Sequence, residues 1–70
     1  MSRPERISGL YDWVLKHNPI GLDQLVSVIM RDFEVAEPTA RGYVDSILAG
    51  QKGKPTIVLY FGVVQVKDDK

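Results

Sequence analysis

Residues 21–48 read GLDQLVSVIMRDFEVAEPTARGYVDSIL and hold two amphipathic stretches separated by a polar break. Leu22, Leu25, Val26, Ile29, Met30 and Phe33 recur at three- and four-residue steps, the spacing that gathers side chains on one helix face. After residues 34–37 the pattern resumes with Ala40, Tyr43, Val44, Ile47 and Leu48. Pro38 suits the first turn of a helix, where its missing N–H is no loss. The spacing predicts helices over about 21–33 and 38–49. Neither is long enough to be stable alone, so each must bury its stripe against the other and against a third element. Two short helices and a tight link form a helix-turn-helix candidate, with Val35 expected to point inward and set the angle between them. The link lacks the central glycine common in such turns.

The third element is a helix over about 4–17. Ser2 or Arg3 lies at its boundary, Pro4 in its first turn and Glu5 near the positive end of its dipole. Ile7, Leu10, Tyr11, Val14 and Leu15 supply its apolar stripe, and Asn18 before Pro19 ends it. Trp13 falls off the centre of that stripe. It covers the edge of the core or the C-terminal strands, or it serves as an exposed anchor at a dimer interface. Ile20 can add one rung to a small sheet. The helix over 38–49 should end at Gly50, and its outward face is made of small residues: Thr39, Gly42, Ser46 and Ala49, bordered by Arg41 and Asp45. Gly42 costs about 1 kcal/mol relative to alanine in a helix interior. It lies opposite the apolar stripe, so a face that lets another surface approach closely is one account of it, and drift at a tolerated surface position is the other.

Residues 51–55 form a basic loop, and TIVLYFGVVQV beyond it is rich in β-branched and aromatic residues. The apolar parity switches at Gly62, which predicts a hairpin with strands of about 56–61 and 63–67, or one long bent strand. The pair Phe61-Gly62 is not a favoured two-residue turn. The run is hydrophobic on both faces, a pattern that an exposed edge in a monomer avoids, and this suggests contact with a second subunit. Residues 68–70 read as a solvated tail.

Seventy residues make a single domain, 1–70, near the lower size limit for folding without a disulfide or metal. No cysteine is present, so thiolate metal sites and disulfides are excluded, and His17 with carboxylates is a poor ligand set for zinc. With 44% hydrophobic and 26% charged residues, the composition is that of an ordinary soluble protein. The longest apolar run is too short to span a bilayer and no signal sequence is evident, so the expectation is an intracellular, cytoplasmic protein. Nine basic and nine acidic residues cancel, which is unusual for a nucleic-acid binder. The charge is unevenly placed. Residues 21–37 hold Asp23, Asp32, Glu34 and Glu37 against Arg31, whereas residues 38–54 hold Arg41, Lys52 and Lys54 against Asp45.

Three helices followed by a strand pair, with GLDQLVSVI opening the second helix and EPTARGYVDSIL as the third, resemble the winged helix-turn-helix family over nearly the whole chain. The resemblance implies an α+β fold, a three-helix bundle with a helix-turn-helix followed by a C-terminal β-hairpin. It also implies that the third helix enters the major groove of double-stranded DNA while the hairpin touches backbone or minor groove. Carried over to this chain, Thr39, Arg41, Gly42 and Ser46 would face the groove, with Lys52 and Lys54 near phosphates. The outward face of the third helix has only one arginine and one aspartate, and a wing tip at Phe61-Gly62 has no cation.

Nothing in the sequence points to catalysis. There is one histidine, no cysteine, no phosphate-binding glycine loop and no paired-carboxylate motif, and no cofactor is expected. His17 suits the negative end of a helix dipole. Two functions remain. The first is a small DNA-binding protein, a homodimer acting as a transcriptional regulator or a replication or partition factor. The alternative is a protein-interaction or assembly module, with Trp13, Tyr60 and Phe61 at the interface.

Overall fold

A computed structural model describes residues 2–67; the tail at 68–70, like Met1, lies outside the described residues. The order is α1 (Arg3–His17), β1 (Ile20–Gly21), α2 (Leu22–Phe33), α3 (Glu37–Leu48), β2 (Ile57–Tyr60) and β3 (Val63–Val66). This is the expected α+β architecture, a three-helix bundle with a C-terminal hairpin, in the layout of a winged helix. Ile20 does add a rung: β1 pairs with β3, and the antiparallel sheet runs β1-β3-β2.

Local chemistry accounts for the helix ends. Ser2 caps α1 by accepting from the Glu5 backbone N–H at 3.4 Å, while its own hydroxyl donates to Glu5 Oε1 at 2.9 Å. Ser2 is thus the side-chain N-cap of α1, with Pro4 inside the first turn. At the other end Asn18 Nδ2 donates to the Leu15 carbonyl at 2.8 Å, and the Asn18-Pro19 peptide is cis. Asn18 Oδ1 also accepts from the Val66 N–H at 3.4 Å, tying the end of β3 to the end of α1. The link between α2 and α3 manages without glycine because Glu34 takes the left-handed conformation, φ 54° and ψ 49°. Val35 packs against the core from that link. The third helix starts one residue earlier than the proline suggested, at Glu37; Ala49 is its cap and Gly50 follows with φ 86°.

The two-residue turn at Phe61-Gly62 forms, and the single bent strand does not. Both residues have positive φ, 52° and 74°, as a type I′ turn requires. The strands are shorter than expected, at Ile57–Tyr60 and Val63–Val66. Register places Ile57 opposite Val66 and Leu59 opposite Val64, so these four share one face, on which Ile57, Val64 and Val66 meet the helices while Leu59, nearer the tip, stays 43% exposed. The core gathers Tyr11 and Val14 from α1, Leu25 and Ile29 from α2, Ala40 and Ile47 from α3, and Ile57 and Val64 from the sheet. Met30, expected within the stripe of α2, is instead 36% exposed at the edge.

Candidate interaction surfaces

The outward face of α3 is hydrophilic and internally compensated. Arg41 donates to Glu37 Oε2 from Nε at 3.1 Å and from Nη2 at 2.8 Å, and Asp23 of α2 lies 4.0 Å from Nη2. Asp45 is exposed one turn further along α3. One cation therefore stands among three carboxylates on the surface that would meet DNA. Thr39 is exposed, but the Ser46 hydroxyl is engaged with the Gly42 carbonyl at 3.1 Å. Gly42 does not open onto solvent as expected. The Arg3 guanidinium lies 3.6 Å from where a Cβ would stand and 4.9 Å from the centroid of the adjacent Tyr43 ring. A Cβ at 42 would make an ordinary van der Waals contact there, so the start of α1 borders this position without requiring glycine.

The two loop lysines differ. Lys54 Nζ is 3.6 Å from Asp12 Oδ1 and 5.3 Å from the centroid of the Tyr11 ring, so it folds back on α1. Lys52 has no carboxylate within 4.0 Å among the described residues. Tyr11 itself is fully buried, and its hydroxyl has no hydrogen-bond partner among the described residues. Burial raises its pKa above the usual 10.0, and the neighbouring Asp12 charge adds to the shift.

The hairpin tip is of a different character. Phe61 is 90% exposed, Tyr60 59% and Leu59 43%, and the Tyr60 and Phe61 rings meet edge to face at 4.5 Å. The Gly62 carbonyl accepts from the Leu22 N–H at 2.8 Å, which anchors the turn to the start of α2 while Phe61 projects. No charged residue occurs between positions 56 and 66. A bulky residue in the left-handed region is uncommon and costs roughly 1–2 kcal/mol. Full exposure of a phenyl ring adds a second unfavourable choice at the same position.

Trp13 lies at the core edge, away from the strands. Its ring stacks on His17 at 4.0 Å and 12°, and His17 Nδ1 is 2.8 Å from the Trp13 carbonyl, so that nitrogen carries the proton and donates. Trp13 also borders an apolar groove of about 250 Å³ between α1 and α2, together with Gly9, Leu10, Val28, Ile29 and Phe33. Glu5, Arg6 and Asp32 rim it. Arg6 is held in place by the Tyr43 hydroxyl at 3.2 Å and lies 5.6 Å from the centroid of the Phe33 ring. Sequence reading missed this groove. Its one signal was Gly9, a glycine in the middle of a strongly patterned helix. Among the described residues no three of His, Asp and Glu gather as a metal site, and no helix is long and apolar enough to cross a membrane. Compared with models of known protein families, with curated proteins and with solved structures, the chain matches none.

Proposed function

We propose that this chain is a winged-helix protein-interaction module whose contact surface is the hairpin wing rather than the third helix. The observation that carries this reading is Phe61, held at positive φ and 90% exposed at the tip of an uncharged hairpin. Strained, exposed bulky residues persist where a contact uses them. Electrostatics points the same way. DNA affinity rests largely on cations that displace counterions from phosphates, and here Arg41 is paired with Glu37 and Asp23. An apolar wing tip gains nothing from phosphates but much from an apolar pocket.

DNA binding by a homodimer, as a transcriptional regulator or a replication or partition factor, is the second reading. It is favoured by the exposure of the Arg41 pairs, since surface ion pairs are worth only about 0–1 kcal/mol and exchange readily for a phosphate. Both readings take the protein to be intracellular, in keeping with a chain that has no cysteine. A salt titration against a labelled duplex separates them. The interaction reading expects no saturable binding at low salt. Micromolar binding that falls steeply with salt, with a slope reduced by about one in Arg41→Ala, would overturn it in favour of DNA.

A further inference from the structure

The groove between α1 and α2 is kept open by a residue that the fold does not require. A Cβ at Gly9 would meet nothing within 4 Å, so no close packing calls for glycine there. In a helix interior glycine costs roughly 0.5–1 kcal/mol relative to alanine. The side chain it lacks would project into the groove that Leu10, Trp13, Val28, Ile29 and Phe33 line. At about 250 Å³ the groove is smaller than the roughly 300–1,000 Å³ of small-molecule sites and suits one or two inserted side chains. All its lining residues come from α1 and α2, so the hairpin of the same chain does not fill it.

We propose that the wing tip of a second copy, Phe61 with Tyr60, seats in this groove. The inference rests on the protein-interaction reading and names the partner. The two surfaces are complementary: an apolar groove open at Gly9, and an aromatic pair projecting from a hairpin with no charge between positions 56 and 66. The wing itself brings no charge into the groove. The Arg6 guanidinium, fixed by Tyr43 beside the Phe33 ring, is placed to meet an incoming aromatic face, and Glu5 and Asp32 on the rim offer acceptors to the Tyr60 hydroxyl. Wing and groove are different surfaces, so the contact can be made reciprocally, as an isologous pair, or head to tail, as a heterologous one. Two reciprocal contacts about a two-fold axis close a dimer, and a single repeated contact propagates a chain of molecules.

The test is sedimentation velocity over a wide concentration range on the wild type, Phe61→Asn, Gly9→Leu and the double variant, with thermal unfolding as the folding control. Asparagine accepts positive φ and leucine favours the helix, so both single variants should remain folded. The wild type is expected to associate, and each single variant at least tenfold more weakly. An equimolar mixture of the two single variants should associate again, because one supplies an intact groove and the other an intact wing. The double variant should stay monomeric and should not join a wild-type groove. A wild type that is monomeric throughout would overturn the proposal, as would Gly9→Leu associating like the wild type, or a mixture no heavier than its components. If the wild type is monomeric and binds no duplex, only the second-copy occupant falls. If it binds a duplex with steep salt dependence, the interaction reading falls with it.

Discussion

The outer face of α3 and the tip of the wing are both exposed, yet they manage exposure in opposite ways. On α3 the polar groups are engaged close at hand: Arg41 is divided between Glu37 and Asp23, and Ser46 turns back to its own helix. At the tip, Phe61 stands almost fully exposed with Tyr60 and Leu59 partly so, on a turn whose backbone disfavours a bulky residue. A surface that only has to be soluble resembles the first. The second is shaped for contact, and the difference teaches that in this winged-helix layout the helix usually regarded as the reader is the quieter surface.

The comparison is broken most directly at Phe61. Phe61→Asn should weaken self-association at least tenfold, about 1.4 kcal/mol, while folding stability stays level or rises, as measured by sedimentation and urea unfolding. Loss of stability on that substitution would show that the ring is packed rather than presented.

A buried aromatic sharpens the contrast with the exposed ones. Tyr11 carries a hydroxyl with no partner among the described residues, and its pKa lies above 10.0 through burial first and the Asp12 charge second. The folded state therefore binds the phenolic proton more tightly than the unfolded state. Its contribution is fully present below about pH 10 and is lost as pH rises through the folded-state value. Tyr11→Phe should raise stability by about 1 kcal/mol at neutral pH and flatten the decline above pH 10 relative to the wild type. A steeper alkaline decline in the variant would contradict this assignment.

Glu34 shares positive φ with Phe61 but is a polar residue at a helix end, which makes it the control for backbone strain alone. Glu34→Gly should stabilise by roughly 0.5–1 kcal/mol, seen as a higher urea midpoint, and should leave association unchanged. If association changed, the two left-handed positions would no longer differ in role. The smallest effect belongs to α3: Arg41→Ala should alter stability by no more than about 0.5 kcal/mol, since its pairs are exposed, and should leave sedimentation as in the wild type.

Much of the architecture was legible because periodicity carries it. The stripe Ile7, Leu10, Tyr11, Val14 marked α1, and the parity switch at Gly62 marked the turn, even though Phe61-Gly62 is an unfavoured pair. The candidate surfaces were less legible. Phe61 could be singled out as an exposed apolar tip, but its positive φ depends on the type I′ geometry of the paired strands. That the Arg3 side chain lies beside Gly42 depends on how α1 packs on α3, which no local pattern in the sequence signals. The groove at Gly9 exists only because Val28, Ile29 and Phe33 of α2 stand across from α1.

The sequence by itself determined which segments become helix or strand, where they stop, and which side of each is apolar, because capping, turn chemistry and side-chain period act over a few residues. Only the tertiary structure decided which charges cancel, which glycine has a neighbour and which leaves a gap, and which aromatic rings are left exposed. Those outcomes depend on distances between residues far apart in the chain, such as Arg41 and Asp23 or Gly42 and Arg3, and packing alone sets them.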